Sequence, residues 1–236
     1  MIPVAFSYVR ARDVADALRL LGEYGDEAKL LAGGHSLIPM MKLRLATPGT
    51  IVDIGAIPGL NGIAHDGKRI ALGALTTHAA LAASRELRDH APALAQAANE
   101  LGDPQVRNRG TVGGACAHGD PSADYPAVML ALDATFTLTG VAGPREVGAD
   151  AFFIGMFETA LDQREVLTTI AFAAAPHSAY AKFHHPASGY AVVGAAVNLT
   201  LAGGRIAAAR VAFTGVGDAP FRAPAVEAAL AGVETG

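Results

Sequence analysis

Two glycine-bearing segments hold the residue types from which a binding site can be built. The first reads Ala32-Gly33-Gly34-His35-Ser36-Leu37. Adjacent glycines allow positive φ and let the backbone approach a ligand closely. Successive N–H groups in such a turn can converge as an anion nest. The Ser36 hydroxyl adds a neutral donor, and a helix beginning there adds the partial positive charge of its N-terminus. Together these suit a diphosphate. The same residues also fit a plain strand-to-helix turn with Ser36 as N-cap. His35, with no partner placed for it by the sequence, reads as a local hydrogen-bonding residue.

The second segment runs from Thr111-Val112-Gly113-Gly114 through Ala115-Cys116-Ala117-His118-Gly119 to Asp120-Pro121-Ser122-Ala123-Asp124. It is again glycine-rich and again precedes a predicted helix. A carboxylate beside a phosphate would be repelled, so Asp120 and Asp124 suit ligand hydroxyls or a ring N–H. Alternatively they cap and charge the start of the following helix. Cys116 reads as a small buried apolar residue, since no base is placed to activate it.

Other candidates fall away. Gly62 to Arg69 imitates a phosphate-binding P-loop, but Arg69 stands where Ser or Thr must hold magnesium, and the stretch lies in a predicted hairpin. His184 and His185 are neighbours on a strand and point to opposite faces. Asn198-Leu199-Thr200 is a glycosylation sequon by pattern only. No GxGxxG follows the first strand, and there is no HExxH, CxxC or GxSxG.

The elements that must position these residues follow from periodicity and punctuation. Phe6 to Val9, Lys29 to Ala32 and Thr50 to Ile54 read as strands. Between them, Asp13 caps a helix to about Glu23, and Ser36 to Arg44 forms a second. Asp66-Gly67 marks a hairpin between Asn61–Ala64 and Arg69–Leu72. His78 to Asn99 is helical with a break near Pro92, and Gly110 to Gly119 reads as a glycine loop. Pro121 to Leu132 is a helix capped by Ser122, and Thr135–Thr139 and Val166–Phe172 are strands. Ala191–Leu201 and Arg205–Phe213 form another hairpin, and Ala223–Leu230 a short helix. A domain boundary is placed near Pro176.

Composition sets the class. The 236 residues are 51% hydrophobic and 17% charged, enough to fold around a sizeable core. A formal net charge of −4 carries no footprint for nucleic acid. The N-terminus has no signal-peptide pattern, and no apolar run is long enough to span a bilayer. One cysteine permits no intrachain disulfide and no all-cysteine iron–sulfur cluster. A cytoplasmic location is expected.

In their order and spacing the two segments resemble the FAD-binding medium subunit of carbon monoxide dehydrogenase and the flavin domain of xanthine dehydrogenase-like enzymes. That family is recognised by an AGG-x-S turn near the start, and by T-[IV]-GG followed by D-P-x-x-D-x-P. Here Ala32-Gly33-Gly34-His35-Ser36, Thr111-Val112-Gly113-Gly114 and Asp120-Pro121-Ser122-Ala123-Asp124-Tyr125-Pro126 match. The flanks Leu43-Arg44, Val52-Asp53-Ile54 and Gln105-Val106-Arg107-Asn108-Arg109-Gly110 fit too, and the likeness covers nearly the whole chain.

The resemblance implies an α+β, two-subdomain FAD-binding fold of the vanillyl-alcohol oxidase (PCMH) type over residues 1–175, divided at about 57/58. A small C-terminal domain of antiparallel sheet and helices follows over 176–236, ending at Gly236 sooner than is usual in the family. It implies that Ala32 to Leu37 and Thr111 to Gly114 hold the FAD diphosphate. Asp124 would contact the ribityl or adenosine part and Leu167 the isoalloxazine edge. Tyr190 would lie over the ring, with Lys182 or His184 beside it. Ala115 departs from the Asn that many relatives carry. The implied role is electron transfer: electrons arrive from 2Fe-2S clusters on a small partner subunit and leave to quinone, NAD or oxygen. The molybdenum cofactor sits on a large partner subunit, and no catalytic acid, base or nucleophile is expected in this chain. The alternatives are a stand-alone flavin oxidoreductase of the same fold and a scaffold without cofactor.

Overall fold

The computed structural model describes residues 2–235. It opens with three strands and two helices: β1 (Ser7–Arg10), α1 (Val14–Tyr24), β2 (Ala28–Leu31), α2 (Leu37–Lys42) and β3 (Thr50–Asp53). Asp13 caps α1 by accepting from the Asp16 N–H at 2.7 Å. The strands form a parallel sheet in the order β1-β3-β2. The central strand is accordingly the most buried, with Thr50, Ile51 and Val52 all enclosed. Ala17, Leu20 and Leu21 of α1 close a small core over it.

The next unit is an antiparallel sheet of five strands in the order β4-β5-β10-β6-β7. These are β4 (Ile63–His65), β5 (Arg69–Gly73), β6 (Thr135–Gly140), β7 (Gly143–Gly148) and β10 (Val166–Ala173). The last strand in sequence takes the centre of the sheet, paired with β5 on one side and β6 on the other. Seven helices lie within this stretch: α3 (His78–Ala83), α4 (Arg85–His90), α5 (Pro92–Glu100), α6 (Pro104–Arg107), α7 (Val112–His118), α8 (Asp124–Ala131) and α9 (Ala149–Phe152). A two-stranded ribbon, β8 (Phe153–Gly155) with β9 (Glu158–Thr159), follows them.

The predicted helix from His78 to Asn99 is three helices, because Ser84 caps α4 and Pro92 begins α5. The predicted glycine loop from Gly110 to Gly119 is mostly the helix α7. The Thr111 hydroxyl caps it, and its two glycines lie in the first turn. The predicted helix from Pro121 begins three residues later. Asp120 turns the chain first, its Oδ1 accepting from the Ser122 N–H at 2.9 Å.

The C-terminal unit is a four-stranded antiparallel sheet of β11 (Ser178–His184), β12 (Ala191–Ala202), β13 (Arg205–Thr214) and β14 (Phe221–Arg222), with α10 (Pro224–Leu230) packed on it. Its inner face lies on α5 and α8. All eight residues of α8 are buried, as befits a helix covered on every side. One apolar cluster runs from Ile70 and Leu72 through Tyr125 and Met129 to Tyr180, Ala196 and Ala212, so the core is continuous across Pro176.

Candidate functional site

A cleft of about 830 Å³ opens where the β2–α2 turn faces the start of α7 and the first residues of β10. Cofactor sites run to roughly 300–1,000 Å³, so this one has room for a large ligand. Ala32, Gly33, Gly34, His35, Ser36 and Leu37 line one wall; Thr111, Gly113, Gly114 and Leu167 line the facing side. The two turns therefore converge.

Contact between the turns depends on missing side chains. A Cβ on Gly33 would lie 2.2 Å from the Arg109 carbonyl oxygen and 2.7 Å from the Gly110 Cα, so backbone meets backbone there. A Cβ on Gly114 would lie 3.8 Å from that of Ala32. Gly34 has φ +79°, which only glycine adopts without strain.

The turns differ in what they offer. Among the described residues, no protein group accepts from the backbone N–H of Gly33, Gly34, His35, Ser36 or Leu37. Ser36 sits at the N-cap of α2, yet its hydroxyl makes no capping bond. Five amides and a hydroxyl thus stand uncommitted at a helix start, an arrangement of donors that suits an anion. The second turn is otherwise. The Val112 N–H donates to Thr76 O at 3.0 Å, and the Gly113 N–H to Ala74 O at 2.8 Å. The Gly114 N–H donates to Thr111 Oγ1 at 3.1 Å. The expectation that both turns offer free amides to one diphosphate does not hold for the second turn, whose amides are taken by the protein itself. What the second turn presents to the cleft is the bare surface of Gly114 and the side chain of Thr111. Gly113 is needed for packing, since a Cβ there would meet the Ala74 Cβ at 2.5 Å.

Four further expectations differ. Val112 is fully buried and points into the core instead of the cleft. Asp124 and Lys182 do not line the cleft either. They form an ion pair at 3.0 Å with side chains only 3% and 2% exposed, and the Tyr180 hydroxyl donates to Asp124 Oδ1 at 2.5 Å. Burial raises the Asp124 carboxyl despite both partners. The group that resembled a ligand contact is a buried tie between α8 and β11. Tyr190 lies outside the cleft lining and is half-exposed. Its hydroxyl is raised by partial burial and by the charges of Asp120 and Asp124.

Sequence reasoning did not find several lining residues. Phe157, at φ +56°, joins β8 to β9 and tilts against His118 at 5.1 Å. Leu45 and Ala46 follow α2, Thr159 ends β9, and Leu161 follows the ribbon. No local pattern marks them; they meet only through the tertiary fold. His78, at the start of α3, had a weak signal as a polar residue on an apolar face. It is buried, accepts or donates at 3.0 Å with the Tyr125 hydroxyl, and its pKa is depressed to about 4 by burial and by the nearby His35 and Arg107. It is a neutral wall residue. Burial pushes the Cys116 thiol up, leaving it inert.

Residues 4–174 match the family model described as the FAD binding domain in molybdopterin dehydrogenase. The chain belongs to that family. Residues 178–235 match the CO dehydrogenase flavoprotein C-terminal domain. The chain is similar to the carbon monoxide dehydrogenase medium chain of Hydrogenophaga pseudoflava, 44% identical over 225 residues, 94% of this chain and 78% of that one. It superimposes on a solved carbon monoxide dehydrogenase from Hydrogenophaga pseudoflava with TM-score 0.95 at 45% identity, covering 100% of this chain and 83% of that one. Quinoline 2-oxidoreductase of Pseudomonas putida 86 gives TM-score 0.93 at 31% identity, over 100% and 83%. This family member is an FAD-binding flavoprotein subunit of an oxidoreductase complex. The uncommitted amides of Gly33 to Leu37 fit the diphosphate of that cofactor. No helix among the described residues is long and apolar enough to cross a membrane.

Proposed function

We propose that this chain is the electron-transferring medium subunit of a molybdenum hydroxylase of the carbon monoxide dehydrogenase type. The observation that carries the reading is the row of unpaired amides from Gly33 to Leu37 at the mouth of a large cleft. In this reading Gly33, Gly34, His35, Ser36 and Leu37 bind the diphosphate through their N–H groups, and the Ser36 and Thr111 hydroxyls add donors. Ala32 and Gly114 shape the floor between the turns. Leu167 excludes water from one edge of the ring system. Bound FAD supplies one- and two-electron redox chemistry. The protein orients it; His78 is held neutral and Cys116 is sealed in the core, so neither of these two supplies a proton.

The fold is read as the vanillyl-alcohol oxidase (PCMH) type, with FAD-binding subdomains over about 1–57 and 58–175 and a C-terminal domain over 176–236. The partners are a small subunit carrying 2Fe-2S clusters and a large subunit carrying the molybdenum cofactor, in the cytoplasm. The final acceptor is a quinone, NAD or oxygen. Anaerobic mixing of the flavin-loaded chain with its reduced iron–sulfur partner tests this. Flavin absorbance should bleach, while the chain alone turns over none of the substrates of the complex. Substrate turnover by the chain alone would establish a stand-alone enzyme instead.

A further inference from the structure

Outside the cleft, one cluster has a ligand set that no role described so far uses. His65 closes β4, the edge strand of the five-stranded sheet, and Glu86 and His90 lie one turn apart on α4. One ligand atom from each falls within 4.8 Å of the other two. Glu86 Oε1 contacts His65 Nδ1 and lies 3.5 Å from His90 Nε2. The two imidazole rings stand 4.5 Å apart at 50°. His65 is the anchored member, its side chain 11% exposed, while Glu86 and His90 are 44% and 41% exposed. Its Nε2 is buried with no partner, so the ring's only polar contact is on the Glu86 side.

We propose that His65, Glu86 and His90 form a binding site for a divalent transition-metal ion, best suited to zinc. Two imidazoles and one carboxylate are an established zinc ligand set, with a fourth position left to water. Bonds of about 2.0–2.1 Å in a tetrahedron give ligand separations of ~3.4 Å, which the Glu86–His90 spacing of 3.5 Å matches and to which the shorter His65–Glu86 contact would open as the ion enters. The pair at i and i+4 on one helix presents both groups to the same side, as metal-binding helices do. The ion would clip the hairpin edge to α4, a structural role remote from the flavin cleft. Glu86 is the anionic ligand, and both imidazoles bind in their neutral form.

Calorimetric titration of the full flavin-loaded chain with Zn²⁺, after removal of bound metal with a chelator, decides the matter. Wild type should take up one Zn²⁺ per chain, and Co²⁺ should give the intense visible bands of four-coordination. His90→Ala and Glu86→Gln should each bind at least ten-fold more weakly while keeping their flavin, which shows that they remain folded. His177→Ala, at an exposed histidine elsewhere, should bind as wild type does. Absence of stoichiometric uptake by wild type, or equal affinity in the Glu86 and His90 variants, would overturn the site and leave an ion-pair cluster only.

Discussion

Gly114→Leu separates the cleft from the fold. Gly114 is exposed in the first turn of α7, and a Cβ there meets only Thr111 Oγ1, at 2.8 Å, and Ala32, at 3.8 Å. Replacing a helical glycine gains about 0.8–1 kcal/mol of helix propensity. Pushing the Thr111 hydroxyl off its capping bond costs about 1 kcal/mol. These nearly cancel, so the melting temperature of the flavin-free chain should change little. The leucine side chain, however, would project between the two turns, where the diphosphate is placed. FAD affinity should fall at least ten-fold, about 1.4 kcal/mol. Fluorescence titration of the deflavinated variant measures this, beside a thermal melt. Wild-type affinity in a well-folded variant would refute the placement. Large destabilisation would refute the energetic reasoning.

Gly33→Ala should behave differently. Its Cβ would enter the Arg109 carbonyl, forcing backbone apart, so stability should fall by about 1–3 kcal/mol together with flavin content. A fully stable Gly33→Ala chain in chemical denaturation would count against the observed contact. Lys182→Met leaves the Asp124 carboxylate buried without its cation and should cost about 3–5 kcal/mol in urea unfolding; a loss under 1 kcal/mol would mean that Asp124 is already protonated. His78 titrates lower in the folded chain than its ordinary 6.5, so the unfolded chain binds the proton more readily. Stability present above pH 6.5 should drain away as pH falls toward 4, by up to about 3 kcal/mol. His78→Gln should flatten the melting temperature over that window, and an unchanged slope would assign the effect elsewhere.

What the sequence made legible was local. The strand–helix–strand–helix–strand opening, the Asp66-Gly67 hairpin and the turn at Gly33-Gly34 depend on neighbours in sequence, and each lies within a few residues of its expected place. The segment at Gly113-Gly114 was misread because glycine weakens helix propensity; close packing on Ala74 and the Thr111 cap override that weakness. The strand β7 escaped notice because Gly143, Pro144, Arg145 and Glu146 look like loop residues, while the pairing with β6 that orders them is tertiary. Asp124 illustrates the limit on site residues. Its motif position pointed to a ligand, but only the fold brings Tyr180 and Lys182, more than fifty residues away in sequence, onto its two oxygens.

The place of β10 has a consequence for how the molecule comes into being. Its residues, 166–173, supply the strand that joins two hairpins otherwise without a common neighbour, and Leu167 on it is a wall of the cleft. A nascent chain emerging from the ribosome holds β4–β5 and β6–β7 as separate ribbons until this late strand arrives. Cofactor capture therefore waits until β10 is made, and any translation product that stops before it should be colourless.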